Sequence, residues 1–337
     1  YLKHSFKSGN IEALIYYCRL LIKGNVVPSN LEKAKKIVQI KLNDQEALSL
    51  LLMGKIMKKE GKFDEAKQYF LKSIDLENSE AILEYGKMLY KGIGSEPDIN
   101  GIDYYEKAAE KSNLKAFYKL GVLIKDGKII IDDVKKYVTF IEVAANQGYP
   151  DALLYYSKMI EEGVDVPYDV DNAFYCKRVS AFLGSIEGMY QYALHCFRFK
   201  YKPVSFEEAK RFFKKVSDKG RADAMFKYAL LLLETKEKSN IKKAIDLIRY
   251  SAFCGNTDAM FDYGTRLLKG YDIPIDEEEG LKYLKKAADC GNTFAMCMYG
   301  VSLLHRNKNP EDKEEAKKYF KSAADEGDPY GLQLYGN

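Results

Sequence analysis

A small residue returns along this chain at a nearly constant interval, and a chain patterned that way folds by stacking copies of one structural unit. The series runs Ala13, Ala47, Ala81, Ala116, Ala152, Gly188, Ala224, Ala259, Ala295 and Gly331, at spacings of 34 to 36 residues. Four residues after each anchor stands Tyr17, Leu51, Tyr85, Leu120, Tyr156, Tyr192, Tyr228, Tyr263, Tyr299 or Tyr335. The next position holds Cys18, Leu52, Gly86, Gly121, Ser157, Ala193, Ala229, Gly264, Gly300 or Gly336. Only Leu52 is large there, so this position predicts close approach by a neighbouring helix. Positions 0, +1, +4, +5 and +8 from the anchor share one face at 3.6 residues per turn, as Ala259, Met260, Tyr263, Gly264 and Leu267 do. That face is the predicted core of the first helix in each unit.

A second series lies about twenty residues downstream: Ala34, Ala66, Gly101, Tyr137, Ala173, Ala209, Ala244, Gly280 and Ala316. It marks a second helix. Asn30, Asp133, Asp169, Ser205, Asn240, Asp276 and Asp312 precede seven of these positions by four residues and are expected N-caps. Glu208, Glu279 and Glu315 stand at capping-box spacing from Ser205, Asp276 and Asp312. Gly148, Gly184, Gly220, Gly255, Gly291 and Gly327 are placed to end these helices in a left-handed cap. A single pair cannot cover its own apolar face, so each must stack on its neighbours.

The segments 287–304 and 317–336 resemble Sel-1-like repeats, relatives of the tetratricopeptide repeat. The likeness rests on Ala287-Ala288, Gly291, Ala295 and Tyr299-Gly300, then on Ala323-Ala324, Gly327, Gly331 and Tyr335-Gly336. Residues 44–77 are more similar to a tetratricopeptide repeat proper. The resemblance gives residues 1–337 as a single repeat solenoid, with 1–78 tetratricopeptide-like, 79–337 Sel-1-like and the last unit truncated. It implies an all-α, right-handed α/α superhelical solenoid of about nine and a half helix-turn-helix repeats. It also implies a non-enzymatic scaffold or adaptor that binds partner proteins or peptides along its concave surface. The family's settings leave two alternatives open: an adaptor in protein quality control, and the regulatory repeat region of a larger enzyme such as a protein kinase.

Charge argues against nucleic acid as a partner, since 53 Lys and Arg are interspersed with 49 Asp and Glu for a net +4. No apolar run reaches the length of a membrane span. Cys18, Cys176, Cys196, Cys254, Cys290 and Cys297 show no repeated paired spacing, which suits a reducing compartment, and the expected location is cytoplasmic. The chain starts at Tyr1 and ends inside a helical pattern, so it reads as a piece of a longer protein. His4, His195 and His305 are more than a hundred residues apart in an elongated fold and cannot converge on a nucleophile. No cofactor, metal site or catalytic residue is expected.

If first helices line the inner surface, positions +2, +6 and +9 face the groove. Four consecutive units place apolar residues at +2 and +9: Tyr190 and Phe197, Phe226 and Leu233, Phe261 and Leu268, then Cys297 and Leu304. Two expectations compete for this row, lateral packing between consecutive first helices and a groove for a partner peptide or helix. Arg198, Lys200 and Lys202 alternate with Phe197, Phe199 and Tyr201 beside it. The candidate partner-binding residues are therefore Tyr190, Phe197, Arg198, Phe226, Leu233, Phe261, Leu268 and Leu304.

Overall fold

The structure is a computed structural model that describes residues 11–24, 28–41, 46–129, 135–198, 203–306 and 310–336. Among the described residues it is all helical, with no strand. The chain divides into two compact units, residues 1–176 and 177–337. The first holds α1 (Ile11–Lys23), α2 (Leu31–Lys41), α3 (Glu46–Lys59), α4 (Phe63–Asp75), α5 (Ser79–Tyr90), α6 (Gly101–Glu110), α7 (Leu114–Lys125), α8 (Lys136–Asn146) and α9 (Pro150–Glu162). The division falls within α10 (Val170–Phe182). The second unit holds α11 (Ile186–Arg198), α12 (Pro203–Ser217), α13 (Ala222–Glu234), α14 (Lys238–Phe253), α15 (Thr257–Lys269), α16 (Glu277–Asp289), α17 (Thr293–Arg306), α18 (Pro310–Asp325) and α19 (Pro329–Gly336).

In each unit the helices pair and stack as the two periodic series require. In the first, α3 packs on α4, α5 on α6 and α7 on α8, with α4–α5, α6–α7 and α8–α9 joining successive pairs. The second repeats the scheme from α11–α12 to α17–α18, and α19 lies against α18. The anchors from Ala81 onward are buried through Gly331, and in α15 the buried set is the predicted face of Ala259, Met260, Tyr263, Gly264 and Leu267. The +5 position is the point of closest helix approach. A Cβ on Gly86 would stand 2.8 Å from the carbonyl oxygen of Gly101, and one on Gly264 would stand 3.0 Å from that of Gly280.

The tyrosine at +4 has a recurring partner on the second helix. Tyr85–Tyr104, Tyr192–Phe212, Tyr263–Tyr283 and Tyr299–Tyr319 all meet edge to face, with ring centroids 5.0 to 5.2 Å apart. Such a pair adds about 0.5–1.5 kcal/mol beyond the area it buries. The hydroxyls of Tyr192 and Tyr299 donate to the carboxylates of Glu208 and Glu315. Those two glutamates, expected in capping boxes, thus serve the neighbouring helix as acceptors.

Helix starts depart from expectation in a second way. Asn30, Asp169 and Asp276 do cap, accepting from the amides of Lys33, Asn172 and Glu279 at 2.9 to 3.0 Å. Ser205, Asn240 and Asp312 do not mark starts, because α12, α14 and α18 begin upstream of them at Pro203, Lys238 and Pro310. Proline has φ already near the helical value and no amide hydrogen to satisfy, so it opens α12 and α18. The Asn240 amide instead donates back to Thr235 Oγ1 and Glu237 Oε2. Asp133 lies outside the described residues.

A cap that the sequence reading passed over sits three residues before the first-helix anchor. Asn78, Asn113, Ser185, Asn256, Asn292 and Asp328 each accept from the anchor's own amide, at 2.8 to 3.1 Å. The anchor is thereby both the close-packing residue and the N3 donor of its helix. The expected terminating glycines, Gly148, Gly184, Gly220, Gly255, Gly291 and Gly327, all have φ between 80° and 93°. Glu77 and Ser112 occupy the same place in earlier repeats, with φ of 60° and 58°.

Candidate protein-binding surfaces

The eight candidate residues lie in the second unit, and the structure sorts them by depth. Tyr190 and Phe226 are only 8% and 6% exposed. Tyr190 packs edge to face on Phe213 of α12, and the Arg221 guanidinium lies 3.5 Å above its ring centroid. Arg221 is fixed there by Glu187 at 2.5 Å and Asp223 at 3.2 Å. Burial raises the Tyr190 pKa, and the nearby Asp223 carboxylate adds to the shift. These contacts run from one first helix to the start of the next. Phe197 also packs on Phe213, and Lys227 Nζ sits over the rings of both Phe197 and Phe226.

Further along, the same positions open toward solvent. Phe261 and Leu268 are half-buried and Leu304 is 41% exposed. Phe261 meets Phe294 of α17 at 6.3 Å between centroids, and Phe294 itself is 64% exposed. Leu268 forms the edge of a groove between α15, α16 and α17, whose apolar lining is completed by Leu281, Met298 and Val301. Lys269, Glu277, His305 and Arg306 rim it. Cys297, in contrast, is buried, with Sγ 3.9 Å from Asp328 Oδ1. Burial raises the Cys297 pKa to about 11, so this sulfur is a packed thiol. Leu233 is half-buried and Arg198 exposed. Phe199, Lys200, Tyr201 and Lys202 lie outside the described residues, as does His4.

The first unit carries a surface that pattern reading did not single out. A pocket on α1, α3, α5 and α7, all first helices, is lined by Arg19, Lys23, Lys55, Lys58, Lys59 and Lys87, with Lys115, Glu80, Glu84 and Ile22. Glu80 is held by Arg19 at 2.8 Å and Lys55 at 2.5 Å. Glu84, only 7% exposed, is held by Lys58 and by Lys115 at 3.7 Å. Burial alone would raise the Glu84 pKa, but Lys58, Lys55 and Lys115 outweigh it and hold the carboxyl down at about 2. Lys55 and Lys87 are pushed below the usual lysine range by desolvation among like charges. The signal in the sequence was lysine at scattered helix positions, which converges only when four helices are placed side by side.

No group of three or more His, Cys, Asp or Glu residues among the described residues is arranged to hold a metal ion.

Comparison with known proteins agrees with this geometry. Four segments match the sequence model of the Sel1 repeat: 79–113 and 150–176 in the first unit, 257–292 and 293–328 in the second. A search of curated proteins gave no match. Among solved structures the chain is similar to a Sel1 repeat protein from Oxalobacter formigenes, at 20% identity and a TM-score of 0.53 over 87% of each chain. It is also similar to c5321, a protective antigen of uropathogenic Escherichia coli displaying an SLR fold. That match has 17% identity and a TM-score of 0.48, covering 99% of this chain and 89% of the other. Repeats of this kind generally form non-catalytic protein-interaction scaffolds. With two matched segments in each of its units, the chain contains Sel1 repeats.

Proposed function

We propose that the protein binds a segment of a partner protein on the first-helix face of its second unit, in the groove of Leu268, Leu281, Met298 and Val301. The observation that carries this reading is that the apolar row opens to solvent along α15 and α17, where Phe261, Leu268 and Leu304 continue a series that is packed away at Tyr190 and Phe226, and Leu268 lines the groove. Apolar side chains left half-exposed on a surface whose fold is already satisfied mark a contact site. The partner segment is amphipathic, with apolar side chains for the floor and acidic ones for Lys269 and Arg306 on the rim.

Affinity purification with the wild-type chain, beside a variant carrying Leu268→Glu and Leu304→Glu, tests this. The expected result is one or more proteins retained by the wild type and lost by the variant, while both melt at similar temperatures. A variant that keeps its melting temperature and the full set of retained proteins would remove the groove from consideration.

A further inference from the structure

The pocket of the first unit concentrates positive charge in a way the rest of the chain does not. Seven cations and two carboxylates line it, an excess of five, while the whole chain of 337 residues is only +4. Outside this pocket the protein is close to neutral. Both carboxylates are already engaged, each by two cations. Lys59 is turned toward the end of α1, where it donates to the carbonyl oxygens of Ile22 and Lys23. Lys23 and Lys87 have no ion-pair partner among the described residues. An ammonium has three donors, so the cations that share Glu80 and Glu84 retain donors of their own.

We propose that this pocket seats an acidic segment of a partner protein, with its carboxylates entering between Lys23, Lys87 and the lysines of α3. This goes beyond the apolar groove of the second unit and shares with that reading only that the ligand is a protein. Three features select the ligand. The charges come from four consecutive first helices, so they form a row and not a point. Packed helices lie about 8–10 Å apart and an extended chain rises about 3.3 Å per residue, so acidic side chains at roughly every third residue match the row. No aromatic side chain lines the pocket, which leaves a nucleic-acid base nothing to stack on. Glu80 and Glu84 act as internal struts, fixing the lysines in place and leaving the excess charge for the ligand.

Fluorescence anisotropy of the full chain with a labelled peptide carrying glutamate at every third position tests the proposal. Inorganic phosphate and a single-stranded oligothymidylate serve as competitors. The peptide is expected to bind with an affinity that falls as salt rises. Reversing Lys23→Glu and Lys87→Glu together should weaken it by at least about tenfold, the loss expected for charge-assisted hydrogen bonds. Lys269→Glu in the second unit should leave it unchanged. Lys23→Gln with Lys87→Gln is the second variant, and melting curves establish that each variant is folded. The proposal is overturned if the peptide does not bind, or if both folded variants bind it as the wild type does. It is equally overturned if phosphate or the oligothymidylate displaces the peptide at concentrations below the peptide's dissociation constant. These results depend on defined probes, so they stand or fall apart from partner capture by the second unit.

Discussion

The backbone of Gly300 lies directly against the ring of Phe320, where a Cβ would come within 2.5 Å of Cε1. Phe320 is 4% exposed and has little room to withdraw. Gly300→Leu should therefore cost at least about 1–3 kcal/mol through overpacking, visible as a lowered melting temperature. Gly336, at the same repeat position in α19, meets nothing within 4 Å. Gly336→Ala should melt within a degree of the wild type, and equal sensitivity at the two glycines would show that the repeat register is misassigned.

Ser112 adopts φ of 58° at the helix-ending position that Gly148, Gly184 and four later glycines occupy. A left-handed conformation costs a non-glycine residue about 1–2 kcal/mol, part of which glycine's freer unfolded chain offsets. Ser112→Gly is expected to stabilise the first unit by about 0.5–1 kcal/mol in denaturant unfolding. Ser112 is the better test than Glu77, which also pairs with Lys111 at 2.9 Å. A destabilised Ser112→Gly would mean that the seryl side chain supports the turn.

What the sequence made legible was the spacing of anchors, and what it concealed was convergence across repeats. Tyr263, Gly264 and Leu267 share a face by helical periodicity alone, so their burial could be read directly. The cap at Asn256 stands at a fixed distance from Ala259 and is legible in the same way. The basic pocket is different in kind. Arg19 and Lys87 both stand six residues after their anchors, at a position expected to face the groove, but Lys58 and Lys115 stand elsewhere in their repeats, so no single periodic series contains the whole cluster. The apolar row was legible as a row, but its depth was not. Tyr190 is covered because Phe213 and Arg221 reach over it, and nothing in the spacing of the row reports on those neighbours.

Glu84 gives the fold a specific acid sensitivity. Its carboxyl is held at about 2, below the ordinary 4.5, so the folded state favours the ionised form. A group with a depressed folded pKa contributes stability above its unfolded pKa and loses it as pH falls through the folded value. The window is therefore from about pH 4.5 down to about pH 2. Glu84→Gln should cost about 3 kcal/mol at neutral pH, with the difference from wild type shrinking steadily across that window. Chemical denaturation of both proteins at stepped pH measures it. A difference that stays constant from neutral pH to pH 2 would show that Glu84 acts through packing and not through charge.

Phe226 and Leu304 belong to one periodic row yet should respond oppositely to mutation, because one is 6% and the other 41% exposed. Removing a buried phenylalanine ring costs about 3–5 kcal/mol, from lost transfer energy and from the cavity left behind. In a unit of this size, each kcal/mol lowers the melting temperature by about 2–4 °C. Phe226→Ala should accordingly melt several degrees below the wild type, and any loss of partner binding should follow the unfolded fraction. Leu304→Gln removes an exposed side chain and should change stability by no more than about 0.5 kcal/mol. If Leu304 anchors a partner at the exposed end of the row, the same change should weaken that partner by about 1–3 kcal/mol. Melting curves and partner affinity measured on both variants separate packing from recognition along the row. Unchanged stability in Phe226→Ala, with affinity selectively lost, would relocate the binding surface to the buried end.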